Sequence, residues 1–300
     1  MRIWTLIGAL AATLLLTAPA TAQRLEERTA ANGGVKLHYV AQGKGPLVVM
    51  IHGFPDYWAT WKPLMGELSK AGYRTAALDM RGYNLSDKPE GVAAYAMPNL
   101  IGDIAAVIQA EGARDAVVIG HDWGAAIAWQ VAMNRPELVN RLVIMSVPHP
   151  AGFAREMATN KAQQDNSQYA RNFQQEGFEK NLTAEGLANW VKDPAAKPGY
   201  VEAFKRSNFT SMLNYYRANY PRTPGVGAPA AAPMAPVKAP TLVIHGMKDT
   251  ALHAAGHSGT WDHVQADTTV MMIPNAGHFV QHDGQALVNR TVRDWLTARK

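Results

Sequence analysis

Residues 116–129 read AVVIGHDWGAAIAW. This stretch holds a short apolar run at residues 116–119, then the turn Gly-His-Asp-Trp-Gly at residues 120–124, then an Ala-rich run. Continuous apolar runs of this length are typical of buried strands, and Ala favours helix. The stretch therefore predicts a sharp strand–turn–helix elbow with Asp122 at its apex.

Strand and helix patterns alternate on both sides of this elbow. Strand patterns cover residues 35–41, 46–51, 75–79, 142–145, 241–244 and 270–273, and helical patterns cover residues 58–71, 97–110, 125–134 and 284–298. Strands that alternate with helices predict a mostly parallel sheet with helices on both of its faces. The sequence thus indicates an α/β fold.

Residues 149–240 interrupt this alternation. They carry no buried-strand pattern, are polar and rich in aromatic residues, and end in a Pro/Ala/Gly-rich stretch at residues 221–240 that is typical of a linker. We therefore expect a helical cap and its linker to be inserted between two parts of one α/β core. The first part spans residues 23–148 and the second spans residues 241–300.

The N-terminus has the three parts of a secretory signal peptide. Met1-Arg2 is basic, residues 3–16 are apolar, and an Ala-Thr-Ala sequence ends at Ala22. The apolar run is short for a bilayer span, so an uncleaved membrane anchor is the weaker alternative. We expect residues 1–22 to be removed by cleavage near Ala22, and the mature chain to be periplasmic or secreted without stable membrane association.

The composition disfavours several classes of function. The chain has no cysteine, so thiol chemistry and disulfides are excluded despite the expected export. Its formal net charge is +5, or +4 once Arg2 leaves with the signal peptide, and the cations are scattered along the chain. Nucleic-acid binding is therefore disfavoured. The sequence leaves the oligomeric state open, a homodimer included.

Three residues that follow predicted strands are candidates for catalysis, since ligands of open α/β sheets bind at the carboxyl ends of the strands. Asp122, Asp249 and His278 stand in the chain order nucleophile, acid, histidine. A carboxylate is already ionised near neutral pH, so Asp122 can attack a saturated carbon without a base. His278 would then activate water to cleave the resulting ester, and Asp249 would orient the imidazole.

Cleavage of such an ester also needs donors for the oxyanion that forms on the Asp122 carboxyl group. We expect the backbone N–H groups of Phe54 and Trp123 to supply them. Trp123 starts the helix after the elbow, and Phe54 lies in the loop that follows an earlier strand.

The motifs together resemble those of the epoxide hydrolases of the α/β-hydrolase fold. The resemblance rests on His-Gly-Phe-Pro at residues 52–55, the elbow at residues 120–124, Asp249, and Ala-Gly-His at residues 276–278, and it spans most of the mature chain. It implies an α/β-hydrolase core with an inserted helical cap, and conversion of an epoxide to a vicinal diol without a cofactor. The aromatic cap favours a small apolar epoxide.

Two cap segments extend the resemblance to the acid catalysts. The family protonates the epoxide oxygen with two cap tyrosines, and residues 213–217 and 168–174 resemble the segments that carry them. This implies Tyr216 and Tyr169 as proton donors, with the adjacent Tyr215 as the competitor of Tyr216. We expect four aromatic side chains to line the substrate pocket: Phe54, Trp123, Tyr215 and Phe279.

Two other functions stay open at this level. Haloalkane dehalogenases share the Asp nucleophile and the Trp after it, but commonly have an Asn where this chain has Phe54. A non-catalytic secreted binding protein of the same fold is the other alternative, although the nucleophile, acid and base are all present. The histidine pairs at residues 253/257 and 278/282 have the spacing of metal ligands, but no carboxylate completes either pair, so we expect no metal.

Overall fold

One eight-stranded sheet forms the centre of the computed structural model, which describes residues 24–221 and 234–299. The strands are β1 (Glu26–Asn32), β2 (Val35–Gly43), β3 (Leu47–Ile51), β4 (Arg74–Leu78), β5 (Ala116–His121), β6 (Val139–Met145), β7 (Thr241–Gly246) and β8 (Thr268–Ile273). Their order in the sheet is β1-β2-β4-β3-β5-β6-β7-β8. Only β2 is antiparallel to its neighbours, β1 and β4, and the other adjacent pairs are parallel. The prediction of a mostly parallel sheet is confirmed.

All the predicted strands are present, and β1 is the strand that the sequence patterns miss. Its residues read EERTAAN, and Ala30 is the one fully buried side chain among them. The strand pairs only with β2, at the edge of the sheet. An edge strand with one buried residue shows no apolar alternation, so its backbone pairing leaves no trace in the hydrophobic pattern.

Helices cover both faces of the sheet, as predicted. The core helices are α1 (Lys62–Lys70), α2 (Met97–Ala110), α3 (Trp123–Asn134), α10 (Val280–Asp283) and α11 (Gln285–Thr297). Alternate residues of β3 serve the two faces: Val48 and Met50 pack with α1 and α11, whereas Val49 and Ile51 pack with α2 and α3. Because both faces are buried, the strand reads as a continuous apolar run.

The segment between β6 and β7 forms a helical cap. Its helices within the described residues are α4 (Pro150–Thr159), α5 (Lys161–Asn166), α6 (Gln168–Phe173), α7 (Ala184–Leu187), α8 (Lys197–Arg206) and α9 (Phe209–Asn219). Tyr216 of α9 packs against Trp123, at the start of α3, with ring centroids 5.0 Å apart. This contact sets the cap over the carboxyl end of β5.

Two of the predicted segments fall outside the described residues. They are the signal peptide at residues 1–22 and residues 222–233 of the linker. The domain boundaries drawn from the sequence therefore stay predictions. In the two described stretches, every helix is too short or too polar to cross a membrane.

Candidate active site

The elbow between β5 and α3 holds Asp122 in a strained backbone conformation. Its φ is +51° and its ψ is −123°, a region that non-glycine residues rarely adopt, and α3 begins at the next residue. Two glycines make the turn possible. A Cβ on Gly120 would collide with the carbonyl of Gly124, and a Cβ on Gly124 would collide with the carbonyl of Ile51. The Gly-x-Asp-x-Gly pattern is therefore a steric requirement of the elbow.

The structure brings the three predicted catalytic side chains together. Asp122 follows β5, Asp249 follows β7, and His278 lies in the loop between β8 and α10. His278 Nε2 is 3.3 Å from Asp122 Oδ2, and His278 Nδ1 is 2.9 Å from Asp249 Oδ2. Asp249 Oδ1 accepts backbone N–H bonds from Ala251 (2.7 Å) and Leu252 (2.9 Å). The imidazole thus bridges the elbow carboxylate and a second carboxylate that the backbone holds in place.

The two carboxylates set the protonation state of this group. Burial lowers the pKa of His278, but Asp249 and Asp122 together outweigh burial and raise that pKa above its ordinary value of 6.5. Burial raises the pKa of Asp122, but the hydrogen bond and the charge of His278 outweigh it and hold the pKa below 3.8. The pKa of Asp249 is lowered in the same way. Near neutral pH, both carboxylates are therefore ionised and His278 is protonated.

The two oxygens of Asp122 have different surroundings. Oδ1 accepts a 2.7 Å hydrogen bond from the backbone N–H of Phe54, whereas Oδ2 faces His278. The structure therefore places the Phe54 donor where the sequence predicts it. Trp123 is the first residue of α3, so its N–H is among the donors that have no partner within the helix. Its part in an oxyanion hole stays a prediction.

Two buried side chains hold the backbone of the histidine loop. The carbonyl of His278 accepts hydrogen bonds from Ser146 Oγ (2.7 Å) and His121 Nε2 (2.8 Å). Ser146 follows β6 with φ +70°, and His121 ends β5. The sequence patterns do not identify this pair, because a bond to a distant backbone carbonyl leaves no motif. The one available signal is that both side chains stand at strand ends.

Tyr169 of α6 and Tyr216 of α9 line the same cavity as Asp122. Their ring centroids are 6.1 Å apart. Burial raises the pKa of both phenols well above the ordinary value of 10. Both hydroxyls are therefore neutral near pH 7 and able to donate a proton to an alkoxide that forms beside Asp122.

The cavity next to Asp122 lies between the core and the cap and has a volume of about 290 Å³. Three phenols line it beside Asp122, those of Tyr169, Tyr216 and Tyr220. Most of the other lining residues are apolar, with Trp123, Trp129, Val147, Phe153, Met157 and Leu252 among them. We call it the apolar cavity. Such a lining favours an aromatic or aliphatic substituent over a charged one.

The other aromatic residues predicted for the substrate pocket lie elsewhere. The Phe54 ring packs against the Tyr216 ring, with centroids 5.5 Å apart, and Phe279 stacks on Trp190 with centroids 3.7 Å apart. Tyr215 is fully buried, and its hydroxyl donates to the carbonyl of Arg81 at 2.9 Å. Tyr215 is thus absent from the described lining of the apolar cavity, contrary to the prediction. The reason is the rotation of α9 about its axis, which turns Tyr216 toward Asp122 and Tyr215 toward the core.

The described residues offer no group of three His, Asp or Glu side chains placed to hold a metal ion. The site has instead a buried carboxylate, a protonated imidazole oriented by a second carboxylate, a backbone N–H donor and two neutral phenols. Such a set can attack carbon, protonate the oxygen that leaves, and activate water.

Comparisons with known proteins agree with this chemistry. A family model described as the alpha/beta hydrolase fold matches residues 46–178. Epoxide hydrolase 3 of Xenopus tropicalis is 33% identical over 287 residues, which cover 88% of this chain and 76% of that protein.

Two solved structures resemble the chain over nearly its whole length. A mutant of an epoxide hydrolase from Bacillus megaterium superposes with a TM-score of 0.84 at 33% identity, and covers 90% of this chain and 100% of that one. Another mutant from the same organism, complexed with its product, a naphthyloxypropane-1,2-diol, superposes with a TM-score of 0.81 at 32% identity, covering 91% and 100%.

Proposed function

The chain belongs to the epoxide hydrolases of the α/β-hydrolase fold, and from that premise we propose that it opens an apolar epoxide to a vicinal diol through an alkyl ester on Asp122. One observation carries the proposal. Asp122 lines an apolar cavity that also holds the neutral phenols of Tyr169 and Tyr216, and its Oδ2 faces His278 at 3.3 Å. No cofactor is needed for either of the two steps.

In the first step, Asp122 Oδ2 attacks one carbon of the oxirane and forms an ester bond. The ring C–O bond breaks, and its oxygen takes a proton from Tyr216 or Tyr169. The ester carries no charge, so His278 loses one of the two carboxylates that raised its pKa. His278 can then return a proton to the phenolate and become a neutral base.

In the second step, His278 Nε2 takes a proton from water, and the water oxygen bonds to Cγ of Asp122. Negative charge develops on Oδ1, where the N–H of Phe54 already donates. The Cγ–Oδ2 bond then breaks, and the diol leaves with Oδ2 after His278 returns the proton. The water oxygen stays in the carboxyl group of Asp122, which passes its remaining proton to His278 and so restores the ionised pair.

The substrate we propose is a small epoxide with an apolar substituent. The apolar cavity supports this choice, and the product bound to the Bacillus megaterium relative carries a naphthyloxy group. An aryl-substituted terminal epoxide is therefore the first substrate to test. Dehalogenation is less well supported, because Phe54 has no side-chain donor for a departing halide.

We also propose that the enzyme acts outside the cytoplasm, in the periplasm or as a secreted protein. The support is the pattern of residues 1–22, with its basic start, apolar run and Ala-Thr-Ala end. N-terminal sequencing of the chain expressed with its leader should find Gln23 or a neighbouring residue first. An intact Met1 on protein recovered from the membrane would contradict the cleavage.

The variant His278→Gln tests the proposed function. We expect it to form the ester and fail to hydrolyse it, because the general base is gone while Asp122 is unchanged. After treatment with an aryl epoxide, the intact mass should rise by one substrate, and peptide mapping should place the adduct on Asp122. The control Asp122→Asn should gain no mass. An adduct on any other residue would refute the assignment of the nucleophile.

A further inference from the structure

The two members of the reacting pair line two different cavities. Asp122 lines the apolar cavity of about 290 Å³, whereas His278 lines a second cavity of about 910 Å³, which we call the outer cavity. The atoms of the pair that face each other, Asp122 Oδ2 and His278 Nε2, are 3.3 Å apart. The two cavities therefore approach each other at this pair of residues.

The lining of the outer cavity is more polar than that of the apolar cavity. Lys192 and Asp193 are exposed at its rim. Farther in, the buried Thr60 Oγ1 lies 2.7 Å from His282 Nε2, and the hydroxyl of Tyr200 lies 3.4 Å from the same nitrogen. Hydroxyl and imidazole groups supply hydrogen bonds that a passing water molecule can exchange.

The wall of the outer cavity beside His278 is held in place. Phe279 and Trp190 both line this cavity, and their rings stack with centroids 3.7 Å apart and planes 1° apart. Trp190 Nε1 also donates to the carbonyl of Pro55 at 2.9 Å. Phe279, expected in the substrate pocket, thus belongs to the side on which the base lies.

The ester formed in the proposed reaction leaves little room for water in the apolar cavity. Its substituent stays in the apolar cavity, tied to Asp122, until hydrolysis. A cavity of about 290 Å³ is at the small end for ligand sites, so one aryl group fills much of it. Water that crosses a lining of groups such as Trp129 and Phe153 also gives up its hydrogen bonds, which is costly.

We propose that the two reactants use separate routes: the epoxide enters the apolar cavity, and water for ester hydrolysis reaches His278 through the outer cavity. This inference rests on the proposed function, since it needs an ester on Asp122. A water molecule from the outer cavity gives one proton to His278 Nε2, and its oxygen bonds to Cγ of Asp122. The Cγ–Oδ2 bond breaks, the leaving oxygen takes that proton back from His278, and the diol departs through the apolar cavity.

Variants that fill the outer cavity test the separate routes. Ala59→Trp and Ala196→Trp place an indole there from two different elements, and both alanines are half-buried. In rapid-quench single turnovers with an aryl epoxide, we expect alkylation of Asp122 to stay within twofold of wild type. Hydrolysis of the ester should slow at least tenfold, and the alkylated enzyme should accumulate. The slowing should be equal at every pH, because a blocked route leaves the pKa of His278 unchanged.

The matched control fills the other cavity. Ala126 of α3 is half-buried in the lining of the apolar cavity, so Ala126→Leu should slow alkylation and leave ester hydrolysis within twofold. Slower alkylation in Ala59→Trp and Ala196→Trp would show instead that the outer cavity admits the epoxide. Unchanged hydrolysis in both folded variants would also overturn the proposal. If wild-type Asp122 never carries an adduct, the proposed function itself fails.

Discussion

A single proton links the two steps of the proposed reaction at the residue scale. Near neutral pH, His278 carries this proton because Asp122 and Asp249 flank it. Esterification removes one of those charges, so the same imidazole that stabilises the nucleophile becomes a base once the nucleophile has reacted. The order of the steps is thus built into the electrostatics of three side chains.

Substitution of the neighbouring residues Tyr215 and Tyr216 tests which cap tyrosine protonates the epoxide oxygen. Tyr216→Phe should slow alkylation of Asp122 by roughly 10² or more, the lower end of what a general acid contributes. Hydrolysis of an ester already formed should change little, because the phenol acts on the alkoxide. Rapid-quench measurement of both steps, with Tyr169→Phe in parallel, checks this prediction.

Tyr215→Phe is the matched control for that measurement. Its hydroxyl donates to the carbonyl of Arg81, away from the apolar cavity. Alkylation should therefore stay at the wild-type rate, while the free energy of unfolding falls by about 1 kcal/mol for the lost hydrogen bond. Equal damage to alkylation in the Tyr215 and Tyr216 variants would remove the basis for choosing between them.

The residues that the sequence predicts well are those that a local motif defines. Asp122, Asp249 and His278 each follow a recognisable strand, and parallel strands bring their carboxyl ends to one edge. Tyr215 is different, because adjacent helical residues face different directions and the rotation of α9 depends on the packing of the cap. Ser146 escapes prediction because its partner is a backbone carbonyl far along the chain.

At the scale of elements, the elbow depends on the absence of side chains at two positions. Gly124→Ala should lower the free energy of unfolding by about 2–4 kcal/mol, because the new Cβ meets the carbonyl of Ile51, a backbone atom that cannot move aside. Alkylation should fall as well, since the turn that aims Asp122 is displaced. Urea unfolding followed by circular dichroism measures the first effect.

Gly66→Ala provides the control for this substitution. Gly66 lies within α1, and a Cβ there would meet nothing within 4 Å. The same added methyl group should therefore stabilise the protein by about 0.5–1 kcal/mol, through the higher helix propensity of Ala. If both variants lose stability equally, the steric account of the elbow is wrong.

For the whole molecule, acid should destabilise the fold through its buried neutral imidazoles. Burial lowers the pKa of His52 and His149 to about 4, and that of His121 and His257 to about 3. Between pH 6.5 and these values, the unfolded chain binds protons that the folded chain does not. Stability therefore falls as the pH drops, by up to about 1.4 kcal/mol per pH unit for each imidazole.

Urea unfolding at pH 7.5 and pH 5 tests this dependence. His278 and His38 act in the opposite sense, because the pKa of each is raised and the stabilisation from each is present in full below 6.5. Since the imidazoles with a lowered pKa, which also include His245 and His282, outnumber these two, the net loss toward pH 5 should dominate. His257→Gln should show a smaller loss than wild type between the two pH values. An equal loss of unfolding free energy in wild type and His257→Gln would mean that protonation of His257 does not contribute to the acid destabilisation.

The sequence predicts the order of the elements but not the two cavities. Strand and helix patterns in the core are local, so their positions follow from periodicity. The cavities depend on how the cap lies on the core, and distant contacts such as that between Trp123 and Tyr216 decide this. The assignment of Phe279 to the outer cavity could therefore come only from the structure.

The proposed proton donors lie on the cap, and the proposed nucleophile lies on the core. If the cap were moved away from the core, Asp122 would meet an epoxide without a phenol to protonate its oxygen, and the ring would stay closed. Alkylating agents whose leaving group departs without protonation would still react with Asp122. Because the phenols and the carboxylate lie on different parts of the fold, the preference for epoxides over other alkylating agents depends on the cap lying against the core.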